Sequence, residues 1–231
     1  MMGQQTMMVK RTLLLLTVMV AALLVASGTA IAAATIINCA TQESPLDNTC
    51  SGDANHNIIF GTSSAEEFIY ALGGNDLVVA NPGNDKVFGS TGRDDLQGQL
   101  GNDTVKGEDG PDNLFGQDGD DKLYGGANAD KLRGGFGIDE LNGDEGADIL
   151  DASEETGDSD AATEHIFGGA GRDLIDANDA KPDSIVCGGG TDKVYYDSDI
   201  DTVASDCERL RADRPLSSSD AAKFNFTASS A

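Results

Sequence analysis

The sequence predicts an all-β protein built as a stack of short coils, and three observations point to it. Nine nonapeptides follow one another without a gap from Ala71 to Asp151. Each unit begins with a glycine-rich stretch and ends with one aliphatic residue between two mostly polar ones. Few large apolar residues occur after residue 40, so the chain cannot build an ordinary thick core and needs other sources of stability.

The nine units share one register. Position 4 is glycine in eight of them, with Asn128 as the exception, and position 1 is glycine in seven. Asn128 keeps to the rule, because asparagine is the usual non-glycine residue in the left-handed backbone region. Position 8 is Val or Leu in all nine units, from Val78 to Leu150. Position 6 is aspartate in all nine: Asp76, Asp85, Asp94, Asp103, Asp112, Asp121, Asp130, Asp139 and Asp148.

This register predicts the local structure of each unit. The first six residues favour tight turns with positive φ, because glycine and Asx residues tolerate that conformation. The last three residues place one apolar side chain inward between two outward ones, which is a very short strand. Two nonapeptides therefore form one coil with two strands and two turns. Equivalent strands of successive coils stack about 4.8 Å apart.

Stacking would place the turn aspartates along two edges, and we expect alternate units to share an edge. The block 71–151 holds 18 acidic and 6 basic residues, a net charge of −12, so each edge would repel itself. A hard divalent cation between neighbouring turns would take carboxylate oxygens and turn carbonyls. One ion per stacked pair gives roughly seven ions at most, whose charge would about cancel that of the block. The pattern therefore predicts a protein that binds several metal ions.

The pattern resembles the RTX, or haemolysin-type, calcium-binding repeats, strongly over residues 71–151 and more weakly over 55–70 and 166–204. The resemblance implies a right-handed parallel β-roll and calcium as the ion, with each position-6 aspartate sharing an ion with the unit two along. The ligands it implies are the nine aspartates of the block and Asp173, in the unit Gly168–Ile175. The alternative is a glycine-rich acidic segment without structure, which is also the state we expect in the absence of calcium.

The N-terminal part predicts export followed by a cap. Lys10-Arg11, an apolar run over Leu13–Leu24 and small residues through Ala34 are typical of a secretory signal peptide over residues 1–34. Cleavage is expected near Ala32 or Ala34, and an uncleaved membrane anchor is the alternative. Residues 35–70 form the predicted N-terminal cap, in which residues 55–70 are degenerate repeats.

The C-terminal part predicts a loop insertion over residues 152–165, degenerate repeats with a cap over 166–210, and a disordered tail over 211–231. One motif competes with the repeat interpretation. Asp197-Ser198-Asp199-Ile200-Asp201 with Glu208 matches the acidic positions of an EF-hand loop, but Thr202 stands where that loop requires glycine. We therefore prefer the repeat interpretation for this segment.

The four cysteines fall into two local pairs, Cys39/Cys50 and Cys187/Cys207. An even number, an export signal and short loops predict two disulfides that clamp the ends of the solenoid. A cysteine-based metal site is the alternative, but both spacings are longer than the short Cys-x-x-Cys spacing that zinc sites use.

A secreted, extracellular calcium-binding protein is the function that these observations predict. The net charge of −25 excludes nucleic acid as a partner. His56 and His165 are the only histidines and stand in no catalytic motif, so we predict no enzyme. We expect calcium ions and an extracellular protein or cell surface as partners, and no membrane after signal cleavage. The alternatives are an adhesion or ice-binding solenoid, against which positions 7 and 9 are mixed, or an accessory part of a secreted hydrolase.

Overall fold

Short strands separated by turns make up almost all of the structure, a computed structural model that describes residues 34–39, 48–63, 66–153, 163–212 and 216–224. In these ranges there are twenty strands and one short helix. The strands are β1 (Thr35–Asn38), β2 (Thr49–Ser51), β3 (Asn57–Phe60), β4 (Phe68–Tyr70), β5 (Gly73–Gly74), β6 (Leu77–Val79), β7 (Lys86–Gly92), β8 (Asp95–Leu100), β9 (Thr104–Asp109), β10 (Asn113–Asp118), β11 (Lys122–Ala127), β12 (Lys131–Phe136), β13 (Glu140–Gly146), β14 (Ile149–Asp151), β15 (Glu164–Gly171), β16 (Leu174–Ala177), β17 (Asp183–Gly190), β18 (Lys193–Tyr196), β19 (Thr202–Val203) and β20 (Arg209–Ala212).

The strands alternate between two sheets. Sheet A has the order β1-β3-β6-β8-β10-β12-β14-β16-β18-β20, and sheet B has the order β19-β17-β15-β13-β11-β9-β7-β4-β2, with β5 paired to β7. Every strand pair is parallel, and Leu114 of β10 faces Leu96 of β8 and Leu132 of β12, each two nonapeptides away along the chain. Because the chain passes from one sheet to the other and back within two nonapeptides, the predicted parallel roll with two strands per coil is confirmed.

The core is a thin double ladder of aliphatic side chains. All nine position-8 residues of the block are 0 % exposed. Ile59 and Ile69 continue the ladder before the block, and Ile166, Ile175 and Ile185 continue it after the block. Each coil contributes about one side chain per sheet, so the apolar area that each coil buries is small compared with that of an ordinary domain.

Disulfides tie the first and the last coils. Cys39 is bonded to Cys50 and Cys187 to Cys207, with Cα–Cα distances of 5.3 Å and 5.1 Å. Cys50 also occupies a ladder position, because it faces Ile69 in the parallel register. The predicted pairing is confirmed, and it places a covalent link near each end of the roll.

The predicted loop over residues 152–165 differs from the structure at its end. Glu164 and His165 belong to β15, and His165 pairs with Glu140 of β13. Across this insertion Leu141 faces Ile166, which lies further along the chain than two nonapeptides, so the ladder register resumes after the inserted residues. The reason lies in burial: Glu164 is 1 % exposed and takes the place of a position-6 residue. Residues 154–162 of the predicted loop lie outside the described residues.

The predicted disordered tail over residues 211–231 is wrong for the part of it that is described. Residues 211–212 end β20, and a short helix, α1 (Ser218–Ala221), follows Ser217 as its N-cap. Asp220 accepts a hydrogen bond from the Tyr195 hydroxyl at 2.7 Å and pairs with Lys193. Phe224 is buried against Leu174 and Tyr195, which explains the order. Residues 213–215 and 225–231 lie outside the described residues, as does the predicted signal peptide apart from Ala34.

No helix in the described ranges is long and apolar enough to span a bilayer.

The outer face of sheet B is less mixed than the sequence predicted, because alternate units fall on different sheets. Outward position 9 of sheet B carries Tyr70, Phe88, Lys106, Tyr124, Asn142 and Phe167 in successive coils. The rings of Tyr70 and Phe88 stack with centroids 4.8 Å apart, so these aromatic side chains cover one another.

Candidate metal centre

Polar side chains, all but one of them acidic, form two rows at the points where the turns enter the strands. We call them the sheet-A file and the sheet-B file, after the sheet whose strands they precede or begin. The sheet-A file consists of Asn57, Asp76, Asp94, Asp112, Asp130, Asp148, Asp173, Asp192 and Glu208. The sheet-B file consists of Glu67, Asp85, Asp103, Asp121, Asp139, Glu164, Asp183 and Asp201. All ten aspartates predicted as ligands lie in these files.

The backbone fixes one oxygen of each repeat aspartate. Asp112 Oδ1 accepts a hydrogen bond from the backbone N–H of Asp94 at 2.7 Å, and Asp130 Oδ1 accepts one from Asp112 at 2.8 Å. The same contact recurs from Asp76 to Asp192 in the sheet-A file and from Asp85 to Asp139 in the sheet-B file. Each carboxylate is thus held by the preceding coil and aligned with its file.

The second oxygen of these carboxylates has no such contact. Oδ2 is buried and has no hydrogen-bond partner in Asp76, Asp85, Asp94, Asp103, Asp112, Asp121, Asp130, Asp148, Asp173 and Asp192. The residues themselves are at most 3 % exposed. A buried carboxylate oxygen without a partner is costly unless a proton or a cation compensates it.

Burial makes these carboxylates hard to ionise together. It raises the pKa of Asp94 to about 8 and that of Asp130 to about 8, and the charges of neighbouring aspartates in the file raise both pKa values further. In the sheet-B file the pKa of Asp121 is raised to about 9 by burial, with additional contributions from Asp139, Asp103 and Asp120. At neutral pH each file therefore favours a bound positive charge.

Glycine at position 1 keeps a space between oxygen atoms. An added Cβ at Gly107 would lie 2.5 Å from Asp112 Oδ2 and 2.5 Å from the carbonyl oxygen of Gly125 in the next coil. The same crowding recurs at Gly89 and Gly116. A side chain is therefore excluded where a carboxylate oxygen and a carbonyl oxygen face the same volume, which is the environment that a hard cation requires.

Positive φ occurs elsewhere in the unit. Position 2 is left-handed although it is rarely glycine, as at Glu108 (φ 73°) and Gln117 (φ 84°). Position 4 has positive φ in seven of the nine units, and Asn128 has φ 86°. At Gly110 an added Cβ would also overlap the Gly92 carbonyl oxygen at 1.4 Å, so position 4 needs glycine for contact between coils as well as for φ.

Side chains alone do not complete a coordination shell. In the described part of the chain, no group of three Asp, Glu, His or Cys side chains is already arranged around one point. Calcium takes six to eight oxygen ligands, and backbone carbonyls are among those it accepts. Two file carboxylates and the carbonyl oxygens of two glycine-rich turns supply this donor set, so the residues present fit calcium.

The structure adds file members that the sequence analysis did not name as ligands. Asp192 could have been found, because Gly188-Gly189-Gly190-Thr191-Asp192 repeats the turn pattern. Glu67 could also have been found, because Glu67-Phe68-Ile69 keeps a polar position 6 and an apolar position 8. Asp201 and Glu208 were considered only as EF-hand ligands, and Glu164 and Asp183 follow turns of irregular length or composition.

The EF-hand interpretation of Asp201 and Glu208 is wrong. Asp201 accepts from the backbone of Asp183 in the sheet-B file at 3.0 Å, whereas Glu208 accepts from Asp192 in the sheet-A file at 3.0 Å. The two side chains therefore serve different files and do not share one loop.

Comparison with known proteins agrees with this geometry. The family model described as the RTX calcium-binding nonapeptide repeat (4 copies) matches residues 63–96, 97–132 and 124–155. A search of curated proteins found no match to the chain. The family match confirms the resemblance found in the sequence: residues 63–155 match the RTX calcium-binding repeat, and the described strands in this range belong to a parallel β-solenoid.

Proposed function

We propose that this RTX-repeat chain is a secreted protein whose two files bind several calcium ions, that it folds when they bind, and that it serves outside the cell as an interaction or surface module. The observation that carries the proposal is the series of buried Oδ2 atoms without hydrogen-bond partners, one in nearly every coil of both files. A single orphaned oxygen would be a local defect, but a periodic series in RTX repeats indicates a periodic ligand.

Basic side chains compensate the files little in the part of the chain that the structure describes. Arg93 lowers the pKa of Asp112, but two ion pairs of the repeat block lie outside the files: Lys122 Nζ lies 2.6 Å from Glu140 Oε2, and Arg133 lies 2.6 Å from Asp151 Oδ2. The whole chain holds 40 acidic and 15 basic residues. Protons remain as the other source of positive charge, and at neutral pH a divalent cation at sufficient concentration displaces them.

Different atoms of each unit have different roles in the proposed ion binding. The Oδ1 atom orients the carboxylate through its backbone hydrogen bond, as between Asp112 and Asp94. The Oδ2 atom and the carbonyls of the glycine-rich turns would hold the ion. Position-1 glycines such as Gly107 keep the space open. A bound calcium ion would supply charge compensation and a link between adjacent coils.

The thin core supports coupling between binding and folding. Each unit of the block buries one position-8 side chain, for which about 2 kcal/mol is a typical contribution. Ordering the nine residues of a unit costs on the order of 1–2 kcal/mol for the backbone of each residue. Glycine costs more, because it has more conformational freedom to lose. Because each site needs two adjacent turns, binding should also be cooperative along the stack.

The two disulfides favour an oxidising compartment, which is consistent with export through the predicted signal peptide of residues 1–34. Extracellular calcium modules work at about 10⁻⁴–10⁻³ M, a concentration that is reached outside the cell. A chain with these properties would stay unfolded until secretion and fold afterwards.

The decisive experiment is a calcium titration of the mature protein, with its disulfides intact, after complete chelation. We expect the circular dichroism spectrum to change from a disordered to a β type in a cooperative transition, while magnesium at the same concentration does not reproduce it. A β-type spectrum that is already complete in excess chelator would refute coupled folding. A full transition with magnesium would refute the assignment to calcium.

A further inference from the structure

The two last turns at the sheet-B edge differ from the repeat turns. Residues 178–182 connect β16 to β17, and residues 197–201 connect β18 to β19. Neither connection contains glycine, whereas every turn of the block 71–151 does. Lys181 is the one basic residue in them. Their acidic residues are Asp179, Asp197, Asp199 and Asp201, and Asp183 follows directly at the start of β17.

Asp183 is in a more demanding position than any repeat aspartate. It is 1 % exposed, and both of its carboxylate oxygens are buried without a hydrogen-bond partner. The backbone of Glu164 lowers the pKa of Asp183, so it offers this carboxylate at most a weak hydrogen bond. In Asp112, by comparison, Oδ1 accepts a backbone hydrogen bond and only Oδ2 lacks a partner. A carboxylate that is buried with so little hydrogen bonding is unfavourable unless a cation binds to it.

Further carboxylates lie beside Asp183. Asp201 Oδ1 accepts from the Asp183 backbone at 3.0 Å, and Asp201 Oδ2 accepts from the Asp197 backbone at 2.6 Å. Asp197 Oδ2 accepts from the backbone of Ala180 at 2.6 Å, so the two turns are bound to each other through carboxylates. Burial, followed by the charges of Asp179, Asp201 and Asp197, raises the pKa of Asp183 to about 8.

We propose that the sheet-B file ends in a calcium site of a different kind, formed by these stacked turns, with Asp183 as its central ligand and with Asp179, Asp197 and Asp201 as the surrounding carboxylates. This inference rests on the proposed function, because Asp183 and Asp201 belong to that file. Carboxylate oxygens keep lone pairs beyond those engaged in hydrogen bonds, so Asp197 and Asp201 can hold the turns together and still face an ion. The four side chains do not yet meet at one point, and binding would draw Asp183 towards the others. The site lies outside the residues that match the RTX repeat and uses no glycine turn.

Its chemistry separates it from the repeat sites. The donor set holds oxygen alone, without His or Cys, which favours calcium or magnesium over zinc. Four carboxylates in flexible turns suit the larger and irregular shell of calcium better than the octahedral shell of magnesium. Calcium affinity rises with ligand charge, so this site should fill before the repeat sites, which combine two carboxylates with neutral carbonyls.

The test is calorimetric titration of the mature chain with calcium chloride after chelation, with Asp183→Asn and Asp197→Asn as variants. Asp199→Asn is the matched control, because Asp199 is exposed and belongs to the same turn as Asp197. We expect both test variants to fold in saturating calcium, to bind one ion fewer than the wild type, and to lose its tightest binding phase. The control should bind as the wild type does.

Unchanged stoichiometry and affinity in Asp183→Asn would overturn the proposal. So would failure of both test variants to fold in saturating calcium while the control folds, because the loss of one of several ions should weaken the roll without unfolding it. Equal binding of magnesium at this site would overturn its assignment to calcium. If the wild type binds a single ion that Asp183→Asn removes, the repeat files fail as calcium sites while this site stands. If the wild type binds several ions and Asp183→Asn keeps them all, the repeat files bind calcium and the proposed C-terminal site does not.

Discussion

The nonapeptide block (residues 71–151) and the C-terminal coils (residues 164–212) share one ladder and two files but differ in their turns. In the block, strand partners always lie two nonapeptides apart, as Leu114 and Leu132 do. In the C-terminal coils the spacing varies. Ile175 faces Val194, which is further along the chain than two nonapeptides, whereas Val194 faces Leu210, which is nearer than two nonapeptides. Turn length is therefore constant in the block and variable in the C-terminal coils.

The reason lies in what holds each turn. In the block, glycine lets the backbone of one coil approach the next so closely that an added Cβ at Gly110 would lie 1.4 Å from the Gly92 carbonyl oxygen. Such contacts recur along the block and favour turns of constant length. In the C-terminal coils, the turns that lead into sheet A keep them, because an added Cβ at Gly190 would lie 1.4 Å from the Gly171 carbonyl oxygen. The turns that lead into sheet B contain no glycine; side-chain contacts such as that of Asp197 with Ala180 join them instead, and the disulfide Cys187–Cys207 adds a covalent link. Side chains and covalent bonds adapt to different turn lengths, so the repeat can change length there without loss of the ladder.

The largest contrast should come from glycine substitutions in the two regions. Gly107→Ala would place a Cβ 2.5 Å from both Asp112 Oδ2 and the Gly125 carbonyl, and we expect a loss of about 3 kcal/mol or more of calcium-saturated stability. Gly189→Ala is the control in the C-terminal coils, because an added Cβ there meets nothing within 4 Å. Denaturant unfolding in saturating calcium measures both. Equal midpoints for the two variants would show that the position-1 glycine does not set coil spacing.

A ligand substitution should have the next largest effect. Asp112→Asn neutralises a carboxylate that faces two neighbours in the sheet-A file, so two ion positions should weaken and the calcium midpoint should rise several-fold. Asp109→Asn, in the same turn but exposed, should leave the midpoint unchanged. Stoichiometry and the calcium midpoint of the dichroism transition are the readouts. A shift of the same size in both variants would mean that only net charge matters.

Acid should partly replace calcium. The folded-state pKa values of the files, about 6 for Asp112, about 8 for Asp94 and about 9 for Asp121, lie above the usual value of about 3.9 for an unfolded chain. The folded roll then binds more protons than the unfolded chain, so its stability without calcium is highest at low pH and falls as pH rises through roughly 4 to 9.

In chelator we therefore expect more β signal at about pH 5.5 than at pH 8. With calcium present the dependence should reverse, because protons compete for the same oxygens. Dichroism and unfolding midpoints at both pH values provide the measurement. No pH dependence in chelator would indicate that the carboxylates are ionised and hydrated in that state.

The sequence predicted the regular part of this molecule well because regularity is itself a strong signal. The invariant Asp112-type and Leu114-type positions define coil length, strand pairing and both files without any structural information. The role of the position-1 glycines, such as Gly107, was harder to predict. Composition suggested that they adopt positive φ, whereas the structure shows that they leave space beside a carboxylate. Left-handed backbone instead falls on residues such as Glu108, which composition does not mark.

Irregular regions were predicted less well, for a physical reason. Glu164 and Asp183 lie in the sheet-B file only because the chain returns to the ladder after turns of unusual length, which no local pattern announces. The tail was predicted as disordered because it is rich in Ser and Ala and shows no periodicity. Its order depends on a few contacts with distant strands, such as Asp220 with Tyr195, and these cannot be read from the tail alone.

The smallest expected effect concerns that tail, and it separates stabilising contacts from ion binding. Asp220 pairs with Lys193 and accepts hydrogen bonds from Tyr195 and Ser217, so Asp220→Ala should release residues 216–224 from sheet A. Because Asp220 is buried but joins only this short tail to the roll, we expect a loss of about 2 kcal/mol or less and no change in calcium stoichiometry. Lys223→Ala is the control, since its longer ion pair with Asp220, at 3.5 Å, involves a side chain that is more than half exposed. Limited proteolysis in saturating calcium should cut the tail faster in Asp220→Ala alone. A lost calcium ion in this variant would instead place the tail in direct support of the C-terminal site.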